Sequence, residues 1–186
     1  MQPFEVLLRH YDPASEAFHG LVVHSVLVAR KARQIAEEYL QRNAEAAIDL
    51  DFLTEAALLH DIGIKECEAP KIHCHGRAPY IRHGIIGSEI LLEEGLPRHA
   101  LVCERHTGAG ITREEVEGRG LPLPPRDYLP VSLEEKIICV ADKFFSKKPG
   151  KLWKRDKLEK IEGSLARHGQ DTLRRWHDLC REILGE

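Results

Sequence analysis

Apolar and polar positions alternate with a helical period along most of the chain. From about residue 15 to 41, Leu21, Val28, Ile35 and Tyr39 recur on one stripe, while Arg30, Lys31, Arg33, Glu37 and Glu38 cover the other faces. That pattern predicts a long amphipathic helix with one buried side. Residues 44–61 predict a second helix, ending in Ala57-Leu58-Leu59-His60-Asp61-Ile62-Gly63, whose glycine permits the backbone turn that stops a helix. Residues 62–78 lose the period and read as a loop, and loops of that length inside a compact domain are more often functional than idle. Helices follow over 80–94 and 97–106. A short one within 109–120 is opened by Thr112 with Glu115 as a capping box, and four prolines between Leu121 and Pro130 exclude a helix there. Ser132 and Glu135 repeat the capping pattern ahead of a helix whose buried face reads Ile138, Asp142, Phe145. A basic stretch over 147–160 precedes two terminal helices that reach residue 184. Residues 1–15 read as a short lead-in with a turn at Asp12-Pro13. No strand pattern and no internal repeat is present, so the expected fold class is all-α.

The chemistry lies on the apolar stripes. His24 sits between Leu21 and Val28; His60 follows Leu53 and Ala56 by seven and four positions; His106 follows Val102 by one turn. His83 shares a line with Gly87 and Ile90, where Gly84, Gly87 and Ser88 let that face approach its neighbours closely. Asp61 and Asp142 complete the set. One buried histidine is ordinarily satisfied by a carbonyl, but a carboxylate on an apolar face is costly without a compensating charge. Six such groups pointing inward call for a cation, and imidazole beside carboxylate suits a borderline or hard one. The set also suits two ions, with Asp61 as the bridge, His24, His60 and Asp142 on one ion, and His83 and His106 near the other. Because no cysteine belongs to it, iron, manganese or another divalent ion is favoured over structural zinc.

Bulk properties narrow the picture. A chain of 186 residues, 42% hydrophobic and 31% charged, is long enough for one domain with a sizeable core. Its net charge of −3 argues against a nucleic-acid coat or a membrane-surface protein. No apolar run reaches the roughly 18 residues of a membrane span, and the N-terminus lacks a signal-peptide pattern. Five scattered cysteines (67, 74, 103, 139, 180) read as reduced thiols of a cytoplasmic protein. The eleven histidines are the one compositional oddity. Cys67, His73, Cys74 and His75 lack the spacing of a zinc finger, and the loop is expected to cover the site or lie exposed. The basic run Lys147, Lys148, Lys151, Lys154, Arg155, Lys157 could meet RNA or a polyphosphate tail, but reads first as the solvated start of a helix.

The order His24, His60-Asp61, Asp142 resembles the HD-domain superfamily of metal-dependent phosphohydrolases, with His60-Asp61-Ile62-Gly63 as its HDIG variant. His83 and His106 look like the additional histidines of its two-metal branches, which include HD-GYP phosphodiesterases and diadenosine tetraphosphate hydrolases. Arg105-His106-Thr107-Gly108-Ala109-Gly110 through Ala141-Asp142-Lys143 is most similar to small stand-alone HDIG hydrolases. The resemblance spans roughly residues 18–148. It implies an HD helical bundle over 1–148 with additional C-terminal helices over 149–186 packed on it. It also implies one or two divalent ions per chain (Fe, Mn, Zn, Ni, Co and Mg are not distinguished) held by His24, His60, Asp61, His83, His106 and Asp142. The implied reaction is hydrolysis of a phosphoester or phosphoanhydride of a nucleotide or similar small phosphorylated metabolite by a metal-activated water. The candidate catalytic residues are Asp61, Lys143, Lys65, Arg82 and Arg105, the last four as phosphate-binding cations. HD-GYP proteins carry a lysine directly after the HDIG glycine, whereas here Ile64 intervenes before Lys65, and the GYP signature is absent. Two rival functions keep the same fold: a non-catalytic nucleotide- or metal-binding module, and a di-iron oxygenase.

Overall fold

The stripe through Leu21, Val28 and Ile35 becomes the face of the central helix α2 (Glu16–Arg42), around which the other elements are laid. The computed structural model describes residues 2–185, and the fold is all-α. The helices after α2 are α3 (Leu50–Leu59), α4 (His83–Glu93), α5 (Pro97–Arg105), α6 (Arg113–Gly118), α7 (Leu133–Asp142), α8 (Leu158–Leu165) and α9 (Gln170–Leu184). Their starts are set by side chains that accept otherwise unpaired amides: Ser15 from Phe18, Asp49 from Phe52, and Thr112 from Glu115 in a complete capping box.

Four local expectations are corrected. The N-terminal lead-in is a helix, α1 (Pro3–His10), too short at two turns to show a period; Val6 and Leu7 are buried. The second helix begins at Leu50, not near residue 44, because Asp49 caps it. The second capping box is only half formed. Ser132 accepts from the Glu135 amide, but the Glu135 carboxylate turns to the Val131 amide and to Arg105 instead of the cap. The 62–78 loop is largely ordered: a 3-10 turn over Ile62–Glu66 leads into a two-stranded antiparallel pair, β1 (Glu68–Ala69) and β2 (Cys74–His75).

Two apolar clusters meet along α2. One joins Val28, Ile35, Leu53, Ile137, Trp176 and Ile183; the other joins Leu7, Leu21, Leu59, Ile62, Leu91 and Cys103. α9 buries Trp176 completely in the first cluster, and the Arg42 guanidinium bonds the Ile183 and Leu184 carbonyls at its end. The apolar core therefore runs on past residue 148 without a break. His24, between Leu21 and Val28, and His60, just beyond Leu59, lie where the two clusters meet. Burial there removes water from every polar group the sequence places inward.

Candidate metal centre

Three of the four histidines are set by one local device. His60 and His106 follow the last turns of α3 and α5, and His83 is the first residue of α4 after a 3-10 turn over Tyr80–Arg82. In each, Nδ1 lies 2.7 Å from the carbonyl three residues earlier: Ala57, Tyr80 and Cys103 respectively. A carbonyl only accepts, so Nδ1 carries the proton and Nε2 presents a lone pair to the centre. Gly63 and Gly84 let the helices close around these rings. A Cβ on Gly63 would lie 2.3 Å from the His83 carbonyl oxygen, and one on Gly84 2.6 Å from that of Cys103. Gly63 does not have a positive φ; it is needed for close approach, not for the helix-stopping turn expected of it.

The donors form two groups that share one carboxylate. In the first, His24 Nε2 is 3.4 Å from His60 Nε2, 3.2 Å from Asp61 Oδ2 and 3.0 Å from Asp142 Oδ1. His60 Nε2 is 3.0 Å from Asp61 Oδ2 and 3.4 Å from Asp142 Oδ1. In the second, Asp61 Oδ1 is 3.5 Å from His83 Nε2 and 3.4 Å from His106 Nε2, which are 3.1 Å apart. Separations of this size are those of neighbouring donors around an ion bonded at about 2 Å. His24, His60 and Asp61 are wholly buried, and Asp61 Oδ1 takes part in no hydrogen bond. One ammonium, that of Lys147, reaches Asp61 Oδ2, but Oδ1 faces the His83 and His106 lone pairs with no ammonium beside it, and a buried carboxylate oxygen so placed is costly unless a cation stands there. These residues fit a divalent ion in each group.

The charged groups of the centre also shift one another. Burial alone would lower the His60 pKa, but Asp61 and Asp142 override it and raise it to about 9. Burial would raise both carboxyls; Asp61 is held well below the usual range by His60 and Lys147, and Asp142 by Lys143 and Lys147. His83, desolvated and beside His106, is driven down to about 3 despite Asp61. Burial lowers His106 as well.

All six expected ligands converge; of the expected cations, Lys143 joins them and the others do not. Lys143 Nζ lies 2.6 Å from Asp142 Oδ2. Lys65 turns away, over the Tyr11 ring at 5.7 Å and near Glu66. Arg105 is tied to Glu135 at 3.1 Å. Arg82 is half-buried, its Nε without a hydrogen bond and no contact to the donors among its interactions. Neighbours on a helix point about 100° apart, so adjacency to a ligand in sequence did not bring Arg82 or Arg105 to the centre. A second ammonium arrives that the sequence did not mark: Lys147, 2.6 Å from Asp61 Oδ2 and 3.8 Å from Asp142 Oδ1. It comes from the run expected to be a solvated helix start; that run is irregular, α8 begins only at Leu158, and no periodicity marks Lys147 as inward. Tyr80 was also missed: it stacks on His83 with ring centroids 4.7 Å apart. His73 and His75 are exposed and Cys74 is buried, and they form no donor group among the described residues. A cavity of about 470 Å³ adjoins the centre, lined by His83 and Lys143 with Ile81, Ile111, Leu165 and Arg119.

A profile of the HD domain matches residues 21–146, which contain all six donors. The chain belongs to the HD domain family. An uncharacterized protein of Methanocaldococcus jannaschii is 41% identical over 124 residues, 66% of this chain and 64% of the relative. Two relatives are named tRNA (cytidine(56)-2'-O)-methyltransferase. The one from Thermoplasma volcanium is 31% identical over 143 residues, 74% of this chain and 37% of its own; the one from Picrophilus torridus is 40% identical over 99 residues, 53% and 25%. This chain thus spans less than two thirds of the length of each. No solved structure matches it. Among the described residues no helix is long and apolar enough to cross a membrane.

Proposed function

We propose that this HD protein is a metal-dependent phosphohydrolase that cleaves a phosphoester or phosphoanhydride of a nucleotide or similar small phosphorylated metabolite. The observation that carries the reading is Asp61, wholly buried, with Oδ2 facing His24 and His60, and Oδ1 facing His83 and His106 with no ammonium beside it. His24, His60, Asp61 and Asp142 would hold one divalent ion, and Asp61, His83 and His106 a second. Such an ion supplies a Lewis acid and brings the pKa of a coordinated water to about 7. The chain's own part is positional. The carbonyl bonds to Nδ1 keep three imidazoles in one tautomer and one orientation. Lys143 and Lys147 place two ammonium groups against Asp142 and Asp61, where they can neutralise charge developing on phosphoryl oxygens. The apolar walls beside His83 suit the non-reacting part of the substrate and exclude water from it.

A second reading, a phosphate carried on RNA, is favoured by the two longer relatives, which are named as tRNA methyltransferases. Elemental analysis of protein purified without oxygen, beside a His83→Ala/His106→Ala variant, tests the metal set; two ions falling to one is the expected result. A substrate panel of nucleoside monophosphates, dinucleotides, cyclic phosphodiesters and oligoribonucleotides then separates the two readings. Unchanged metal content and unchanged hydrolysis in both His60→Ala and Asp61→Ala would refute the proposal. Tight nucleotide binding without turnover would favour a sensor, and substrate-dependent oxygen consumption an oxygenase.

A further inference from the structure

Between α7 and α8 the chain runs without regular structure and carries Lys147, Lys148, Lys151, Lys154, Arg155 and Lys157 against a single acid, Asp156. The inner end is anchored, with Phe144 buried, Arg155 over its ring and the Asp156 amide bonded to its carbonyl at 2.8 Å. The outer part is not. Lys148, Lys151, Lys154 and Lys157 are exposed, and none of their ammonium groups forms an ion pair or hydrogen bond among the described residues. Trp153, in their midst, is 74% exposed, the most exposed of the large apolar side chains. Folding supplies no reason for an indole ring in water amid unpaired cations on a chain whose net charge is −3. A stacking platform flanked by cations is what single-stranded nucleic acids require: each base has a face to stack, and each link carries a phosphate. The segment is also continuous with the centre. Lys147 and Lys148 line one cavity of about 520 Å³ with Lys71, Tyr80 and Phe145, and Lys147 reaches Asp61.

We propose that residues 147–157 are a docking strip for single-stranded polynucleotide, with a base stacked on Trp153, phosphates along Lys148, Lys151 and Lys154, and the strand directed toward the metal centre. Only that last direction rests on the phosphohydrolase reading; the binding itself does not. Single strands fit better than duplex, whose bases are already stacked, and better than an acidic protein surface, which would use the lysines and leave the indole without a partner of its own kind.

The test uses the full chain as purified, titrated with an oligouridylate of roughly ten nucleotides, its deoxy counterpart, a duplex of the same length, and poly-glutamate. The protein has two tryptophans, and Trp176 is wholly buried, so quenching of intrinsic fluorescence reports Trp153. Expected are quenching by the single strands and, by fluorescence anisotropy of the same oligonucleotides carrying a dye, an affinity about tenfold weaker in Trp153→Ala and recovery in Trp153→Phe. In a Lys151→Ala/Lys154→Ala variant the slope of log affinity against log salt should fall in magnitude by about 1.4. RNA preferred over DNA, or bound equally, supports the strip. No quenching at low salt, binding indifferent to Trp153→Ala, or preference for duplex or poly-glutamate overturns it. Oligonucleotide binding without hydrolysis under any metal would count against the phosphohydrolase and leave the strip standing. Mononucleotide hydrolysis without oligonucleotide binding would do the reverse.

Discussion

Alanine at position 63 would press a methyl group between the 3-10 turn after Asp61 and the first turn of α4. Its Cβ would stand 2.3 Å from the His83 carbonyl oxygen and 2.4 Å from the Gly87 amide nitrogen, where ordinary contact begins at 3.4 Å. Both neighbours are backbone, so no side-chain rotation can relieve the clash and α4 must retreat by about an ångström. The cost belongs at the upper end of overpacking, about 3 kcal/mol, or a fall in Tm of roughly 6–12 °C for a chain of this length. The same retreat carries His83 away from Asp61 and His106, now 3.5 and 3.1 Å distant. The second donor group should therefore open while the first, which has no residue on α4, stays intact. Gly87→Ala is the control: its nearest contact is the Cys103 sulfur at 3.2 Å, a side-chain atom that can yield, so the loss should stay near 1 kcal/mol. Thermal melts followed by circular dichroism, with metal analysis of the same samples, check both effects. A Gly63→Ala melt within about a degree of wild type, or a Gly87→Ala loss of equal size, would refute the close-packing argument.

Lys147→Ala should lower kcat/KM roughly a hundredfold without changing metal content. Arg105→Ala should leave kcat/KM within a few fold and instead reduce stability by about 2 kcal/mol, because it strips a buried Glu135 of its cation. Comparable kinetic losses in both variants would contradict the different placement of the two side chains. Metal uptake should release protons: with its pKa raised from 6.5 to about 9, His60 is protonated in the ion-free protein at pH 7–8 and must lose that proton to ligate. Calorimetry in buffers of different ionisation enthalpy should find about one proton displaced at pH 7–8, and affinity should rise with pH until it levels off near the raised pKa. Proton release that is the same in His60→Ala would assign it elsewhere. Trp176→Ala should cost about 3–5 kcal/mol and keep a single unfolding transition, since α9 shares the core of α2, α3 and α7; two separate transitions would show the C-terminal helices folding on their own.

The donors were legible because each lies on the apolar stripe of a strongly periodic helix or at its end. His24 is bracketed by Leu21 and Val28, His60 continues from Leu53 and Ala56, and Asp142 follows Ile138. Period tells which side of a helix faces inward, and a polar group on that side needs a partner. Periodicity also made the all-α class plain, and the pairs Ser15–Phe18 and Thr112–Glu115 fall where capping chemistry puts them. Reading failed where no period exists or where too little chain shows one. The two turns of α1 offered no contrast, and the β1–β2 pair consists of only two residues per strand. Arg82 and Arg105 are adjacent to ligands in sequence, and on a helix adjacency turns a side chain aside.

Sequence alone determined the inward set of imidazoles and carboxylates, because burial of one helix face is a local property that a few turns encode. Tertiary packing alone decided which groups meet around the two oxygens of Asp61, and that Lys147 is the ammonium beside it. An irregular segment carries no period of its own. Its course is set by contacts made far along the chain, here Phe144 buried in the first apolar cluster and the Asp156 amide folded back onto the Phe144 carbonyl.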